Sequence, residues 1–250
     1  MIFHKGNMNV LEFRSKNIPN VSGFRKYIAE VSSRFCPYID PSMLKEEMAY
    51  TVVSSDTEDK LLAERIVFTS GYIMSELLRH QRRIANLKQR PPLLCENVIF
   101  LFPRIDDALS KEILAWPHWV LKCRYTQVGV LFGKFWKGAV EQGKNGRDLP
   151  IPPCNLFSIR ENVRARDPKF FEKAEWLLPS LESANDVNQN VFNDLIVYQD
   201  TLGAFCAEPT SSSFDGISGA LTQSNFYAKA KELSKQELAK HKQNENNAKN

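Results

Sequence analysis

Two short apolar runs constrain the fold of this chain more than any other feature. The first is VIFLF at 98–102, bounded by polar residues and Pro103, and the second is VGVLFGKFW at 128–136. Apolar runs of this length between chain breakers are typical of strands that are buried on both faces of a sheet. We therefore predict a strand at each run, and the second run is the best candidate for a central strand.

Segments with helical spacing of apolar residues separate these strands. The longest, about 57–89, places Leu62, Ile66, Ile73 and Leu77 on one stripe. Strands that alternate with helices predict an α+β fold, in which a single mixed β-sheet is covered by helices. The other predicted helices cover 24–35, 106–115, 119–125, 167–178 and 191–205, and the other strands cover 49–53 and 155–159.

The domain organisation follows from length and charge. The chain has 250 residues, which fits a single globular domain over 1–207, followed by a Ser-rich linker over 208–222 and a charged tail over 223–250. The tail is predicted to be either helical or disordered. Its residues 226–250 hold six Lys and three Glu, or +3 of the net charge of +4. The nearly neutral body argues against nucleic acid as a partner.

Targeting signals and paired cysteines are missing from the sequence. No apolar run approaches the ~20 residues of a membrane span, and 1–10 lacks the apolar core of a signal peptide. The cysteine spacing contains no pair that suggests a disulfide or a zinc site, so reduced thiols are expected. The sequence therefore predicts a cytoplasmic protein with no membrane association.

No motif identifies a reaction. A phosphate-binding loop needs Gly-Lys followed by Ser or Thr, and both Gly133-Lys134 and Gly143-Lys144 lack that third residue. The glycines over 129–138 lack the spacing of a dinucleotide-binding turn. A Gly-x-Ser-x-Gly elbow and a His-Glu-x-x-His motif do not occur. The motifs leave open whether the chain is an enzyme.

Two histidines in the body are candidate ligands. His80 continues the apolar stripe of the long predicted helix, and His118 lies in the sequence Trp116-Pro117-His118-Trp119. Each is either a buried histidine that satisfies a hydrogen bond or a ligand that faces a pocket, and the first reading is favoured. Trp116 and Trp119 could wall a flat ligand or fill the edge of the core.

Cys36 and Arg160 are candidate site residues for different reasons. Cys36 lies between two predicted helices, where the second helix could lower the pKa of its thiol, although a small buried side chain is the favoured reading. Arg160 follows a predicted strand, and ligands often bind open sheets at strand ends. Arg160 could bind an anion there, or it could pair with Asp106, Asp107 or Glu161.

Three segments, in order, resemble a bacterial family of unknown function. They are Cys36-Pro37-Tyr38, GVLFGKF at 129–135 and PIPPCNLFSIR at 150–160. The family pattern is roughly Cys-Pro-Phe, then Gly-Leu-Met-x-Gly-x-Phe, then Ser-Pro-x-Pro-aliphatic-x-x-Ile-Arg. The similarity covers about 35–178, and Tyr38 replaces the phenylalanine of the first segment.

The layout is also remotely similar to the YqcI/YcgG family, some of whose members are haem-dependent N-oxygenases. That resemblance implies haem as a cofactor with a histidine as axial ligand, and His80 and His118 are the candidates in the body. In such a site, Trp116, Trp119 or Phe135 would wall the pocket. Arg160 would then hold a substrate carboxylate, because its guanidinium can pair with both oxygens.

Two main hypotheses about function follow, and a third is a cysteine-dependent enzyme that uses Cys36. The first is a cytoplasmic small-molecule-binding protein of specialised metabolism, with haem-dependent oxygenation as its more specific form. The alternative is a non-catalytic protein that binds a partner through its C-terminal tail. The alternative expects that removal of 223–250 leaves the stability of the body unchanged.

Overall fold

The structure is a computed structural model of the chain. It describes residues 10–87, 94–143, 146–163, 167–172, 174–192 and 224–247. The predicted linker over 208–222 and most of the predicted helix over 191–205 lie outside the described residues.

A single mixed sheet of five strands forms the centre of the molecule, with the strand order β1-β2-β3-β5-β4. The β2–β3 pair is parallel, and the other pairs are antiparallel. A parallel pair requires a long crossover connection, which the third helix supplies. The strands are β1 (Val10–Ser15), β2 (Met48–Ser55), β3 (Cys95–Leu101), β4 (Val130–Phe135) and β5 (Asn155–Glu161).

The helices confirm the predicted α+β class. They cover both faces of the sheet, and short 3-10 turns precede the fourth and fifth helices. The α-helices are α1 (Phe24–Arg34), α2 (Ile39–Leu44), α3 (Lys60–Leu87), α4 (Ser110–Tyr125), α5 (Leu178–Glu182) and α6 (Ser224–Asn247).

The first face of the sheet is covered by α3 and α4, and this layer holds the larger core. Phe100 and Phe157 of the sheet pack there with their rings 5.4 Å apart. Gly71 allows α3 to come close, because a Cβ at this position would lie 2.6 Å from Leu121 Cδ1 and 3.3 Å from the Phe157 ring. The glycine therefore sets the packing distance, and α3 continues through it without a break.

The second face is covered less completely. Helix α1 packs Phe24, Tyr27 and Ile28 on β2 and β3, with the Phe24 ring edge-on to Tyr50 at 5.9 Å. The segment after β5 packs Phe171 against Leu131 of β4. Between these two covers lies the space that forms the candidate site.

Two predicted elements take a different form in the structure. The run at 128–136 is the edge strand β4 rather than a central strand. It is apolar because α4 covers one of its faces and the segment around Phe171 covers the other. The helices predicted over 106–115 and 119–125 are one helix, α4, which contains Pro117 in its interior.

The C-terminal tail is helical over the described residues 224–247, and α6 lies against α3 and α4. Tyr227 and Ala230 are buried in the larger core, with the Tyr227 ring 4.9 Å from the Phe68 ring. The Tyr227 hydroxyl donates to Glu64 Oε2 at 2.8 Å, and Lys231 Nζ lies 2.5 Å from the same oxygen. The helix is thus attached through apolar and polar contacts.

Candidate functional site

A cavity of about 550 Å³ lies between the two covers of the second face. Strands β3, β4 and β5 form its floor, and α1 and the loops around β4 form its walls. It also reaches around the edge of β4 to α4. The residues used below line it: Cys36, Cys95, His118, Lys122, Gly133, Lys134, Phe135, Trp136, Pro150, Ser158, Arg160, Phe170 and Phe171.

Small residues on the sheet create this space. Gly133 of β4 and Ser158 of β5 are paired in register and lie side by side on the second face. A Cβ at Gly133 would lie 2.9 Å from Phe135 Cε2 and 3.6 Å from Ser158 Cβ. Any larger residue at position 133 would therefore push Phe135, which is a wall of the cavity.

One end of the cavity contains two thiols. Cys95 Sγ and Ser158 Oγ are 3.5 Å apart, and Cys36 enters between α1 and α2. Burial raises the pKa of Cys95 to about 11, although the hydrogen bond to Ser158 opposes that increase. Cys95 is therefore protonated at neutral pH and acts as a weakly polar wall.

Arg160 reaches this end of the cavity with its charge already balanced. Its Nη2 donates to Asp167 Oδ1 at 2.7 Å, and its Nη1 donates to Asp167 Oδ2 at 3.0 Å and to the Glu161 carbonyl at 2.8 Å. Burial opposes the charge of Arg160, but the bonds to Asp167 outweigh it and raise the pKa of the guanidinium. The carboxylate partner is thus Asp167, and not Asp106, Asp107 or the side chain of Glu161.

The other end of the cavity is basic. His118 and Lys122 lie one turn apart on α4, and Lys134 lies on the neighbouring β4. Lys122 Nζ donates to the Phe170 carbonyl at 3.1 Å and lies 4.4 Å from the centre of the Phe171 ring. Lys134 Nζ lies 5.8 Å from the Trp136 ring centre.

His118 is a neutral hydrogen-bond donor. Its Nε2 is 3.0 Å from the Phe132 carbonyl oxygen, which can only accept, so Nε2 carries the proton. Desolvation is the main cause that lowers the pKa of His118 to about 3; the hydrogen bond to Phe132 opposes the shift, and Lys134 and Lys122 add to it. The imidazole therefore stays uncharged at physiological pH.

The geometry does not provide haem with a ready axial ligand. His118 lines the cavity, but an iron bond through Nε2 would require its hydrogen bond to Phe132 to break. His80 is half-buried on α3 and is not among the residues that line this cavity. The hydrogen bond of His118 therefore disfavours haem binding through Nε2, and haem binding stays a prediction.

The sequence candidates divide into two groups. Cys36, Phe135, Arg160 and His118 line the cavity. Trp119 packs edge-on against Trp176 at 5.9 Å, and the Trp116 ring lies 5.7 Å from Lys235 Nζ of α6. These two tryptophans hold elements of the fold together, and the cavity does not contact them.

Several cavity residues were missed by the sequence reasoning. Ser158 shares a strand face with Arg160, so the period of two along β5 could have found it. Lys134 directly follows Gly133 in a segment that the family resemblance had singled out. Asp167 carries no such signal, because its contact with Arg160 depends on how the chain turns after β5.

Glu161 gives this region a pH dependence that can be measured. Burial raises its pKa to about 6, while the hydrogen bond from the Leu94 amide and the charge of Arg82 oppose the increase. Because the folded protein holds the proton of this carboxyl more tightly than the unfolded chain does, protonation favours the fold. This stabilisation is fully present below about pH 4.5 and is lost as the pH rises through about 6. We expect Glu161→Gln to gain stability over the parent chain at pH 7.5 and to lose that gain at pH 4.5.

Urea unfolding at the two pH values measures this difference. In the described part of the chain, the half-exposed Glu30 pairs with Arg34 at the surface, so Glu30→Gln is the matched control and should show little pH-dependent difference. A Glu161→Gln stability difference that is the same at both pH values would contradict the burial argument.

None of the helices in the described part of the chain is long and apolar enough to cross a membrane.

Comparison with known proteins gives one match. A family model described as "Domain of unknown function (DUF6875)" matches residues 32–187. The three segments that suggested a family of unknown function all lie within that range, whereas α6 lies outside it. No curated protein and no solved structure matched the chain. Since the matched residues are more than half of the 250, the chain belongs to the DUF6875 family.

Proposed function

We propose that this protein binds a small, largely apolar molecule in the cavity on the second face of the sheet. The volume of about 550 Å³ falls in the range of small-molecule sites, about 300–1,000 Å³. Its walls are mainly apolar and aromatic, and a few polar groups face inward, which is typical of such sites.

The convergence of the three segments carries this proposal. Cys36 comes from the first, Gly133 and Phe135 from the second, and Pro150 and Arg160 from the third, and all five line the same cavity. They lie far apart in the sequence and on different elements. If these residues served only the structural core of the family, they would not all need to line the same cavity.

The more specific hypothesis of a haem-dependent oxygenase has weaker support. No step through haem follows from the residues, because His118 already binds the Phe132 carbonyl. An absorption spectrum with added haem tests it directly. A sharp Soret band that is absent in His118→Ala would support haem binding, and a spectrum equal to that of free haem would remove the hypothesis.

A cavity-filling variant tests the proposal itself. Ser158→Leu places a larger side chain beside Gly133, in the open part of the floor. We expect the parent chain to bind the neutral fluorescent probe N-phenyl-1-naphthylamine, and Ser158→Leu to bind it at least about tenfold more weakly, since the added side chain occupies the site. Fluorescence titration gives both affinities.

The matched control is Ser33→Leu, which makes the same change on the exposed side of α1. It should bind the probe as tightly as the parent chain. Circular dichroism of all three proteins confirms that the fold is retained. Equal affinity in the parent chain and Ser158→Leu would reject this cavity as the binding site.

The alternative function, partner binding through the C-terminal tail, has less support. Two apolar residues of α6, Tyr227 and Ala230, are buried against this chain's own core and so are not available to a partner. A pull-down that compares the full chain with one ending at 222 tests it, and a protein captured only by the full chain would support it.

A further inference from the structure

The basic end of the cavity holds two ammonium groups that form no ion pair with a described carboxylate, although Glu141 lines the same cavity. In the described part of the chain, neither Lys122 nor Lys134 has a carboxylate within ion-pair distance. Among the described residues, the Lys122 ammonium contacts a carbonyl oxygen and an aromatic ring, and the Lys134 ammonium contacts an aromatic ring. An ammonium has three donors, so both lysines keep donors for a further acceptor.

Three other half-buried cations of this protein are each paired with a carboxylate. Arg82 Nη2 lies 2.5 Å from Asp186, Arg160 Nη2 lies 2.7 Å from Asp167, and Lys231 Nζ lies 2.5 Å from Glu64. A charge that leaves water normally needs a partner of opposite sign. Lys122 and Lys134 therefore differ from these three cations, and both line the same cavity.

The surroundings of Lys122 and Lys134 make the charged form of each lysine less favourable. Burial lowers the pKa of Lys122, and the nearby Lys134 ammonium also lowers it. Burial lowers the pKa of Lys134 as well, and the Lys111 ammonium adds to that effect, while the charge of Glu141 opposes it. An anion between the two lysines would relieve both the desolvation and the mutual repulsion.

The surroundings of the two ammonium groups are aromatic. The Trp136 ring lies under Lys134, the Phe171 ring lies under Lys122, and Phe170 supplies the carbonyl that Lys122 contacts. The apolar body of the cavity, floored by Gly133 and Phe135, begins on the other side of β4. Positive charge at one end of the cavity and apolar surface at the other suit a molecule that has an anionic group at one end and an apolar body at the other.

We propose that the natural ligand of this cavity is an amphipathic anion, whose acidic head is bound by Lys122 and Lys134 and whose apolar body lies over Gly133. This inference rests on the proposed function, because it assumes that a ligand occupies the cavity. It moves the anion away from Arg160, whose guanidinium is already paired with Asp167.

Two fluorescent probes with the same aromatic skeleton separate charge recognition from cavity binding. 8-Anilinonaphthalene-1-sulfonate carries an anionic group, and N-phenyl-1-naphthylamine is its neutral counterpart. We expect the full chain to bind the anionic probe more tightly. In Lys122→Met and Lys134→Met, affinity for the anionic probe should fall by about tenfold each, since each variant removes one charge-assisted hydrogen bond, while affinity for the neutral probe stays within about twofold.

Lys137→Met is the matched control, because Lys137 lies in the same region, is exposed and pairs with Asp107 at 2.7 Å. It should leave both affinities unchanged. Competition with dodecanoate, dodecyl phosphate and dodecanol then tests the head group, and we expect the two acids to displace the anionic probe at lower concentration than the alcohol.

The outcomes distinguish this inference from the proposed function. If the neutral probe binds and Ser158→Leu weakens it, but the two lysine variants bind the anionic probe as tightly as the parent chain, the anion proposal is overturned and the cavity remains. If neither probe responds to Ser158→Leu, the proposed function itself fails.

Discussion

Replacement of Arg79 by methionine should lower the free energy of unfolding by about 3–5 kcal/mol, because it removes one partner of a buried ion network. The Arg79 side chain is 2% exposed. It donates to Asp186 at 2.7 and 2.9 Å, to Glu76 at 2.8 Å and to the Gln189 carbonyl at 2.8 Å. The variant leaves Glu76 without its cation and leaves Arg82 as the remaining cation beside Asp186, and urea unfolding measures the loss.

The matched control is Arg34→Met, which breaks an exposed pair with Glu30 on α1. That loss should be below about 1 kcal/mol. Although burial opposes its ionisation, Arg79 and Arg82 hold the pKa of Asp186 at about 2. The stabilisation is therefore present above the ordinary carboxyl pKa and is lost as the pH falls towards 2. An Arg79→Met loss no larger than that of Arg34→Met would contradict the network.

Tyr227→Ala should destabilise the protein by about 3–4 kcal/mol, since it removes a buried aromatic side chain and leaves a cavity. The Tyr227 ring is 6% exposed and packs 4.9 Å from Phe68, and its hydroxyl bonds to Glu64. The prediction is measured by thermal and urea unfolding of the full chain. This prediction contradicts the expectation from the sequence that removal of 223–250 leaves the stability of the body unchanged.

The control on the same helix is Lys229→Ala, since Lys229 is exposed. It should change the free energy of unfolding by less than about 0.5 kcal/mol. If Tyr227→Ala were as mild as Lys229→Ala, α6 would contribute no stability to the body. The prediction of a separable tail over 223–250 would then gain support.

Local sequence pattern predicted those parts of the fold that depend on burial alone. The run VIFLF predicted β3, which lies in the centre of the sheet with β2 and β5 on either side. The same reasoning wrongly predicted that β4 is a central strand. An edge strand that is covered on both faces has the same apolar run as a central strand. Strand order is set by contacts between distant elements, which periodicity does not record.

The candidate site also contains features that the sequence could predict and features that it could not. Cys36, Phe135 and Arg160 could be singled out from segments of the sequence, and they line the cavity. The pairing of Arg160 with Asp167 could not, and neither could the lack of an ion pair at Lys122 and Lys134 among the described residues, because each depends on which acidic side chains come near in three dimensions. Charge balance within a site is a property of the folded chain.

The docking of α6 also has a consequence for how the protein folds. The hydrogen bond between Tyr227 and Glu64 joins residues 163 positions apart in the sequence. Closing so long a loop carries a large entropic cost, so contacts of this kind form late in folding. During synthesis, the surface around Phe68 is complete long before residue 227 leaves the ribosome. That apolar surface thus stays open on the growing chain, where a chaperone can bind it, until α6 covers it.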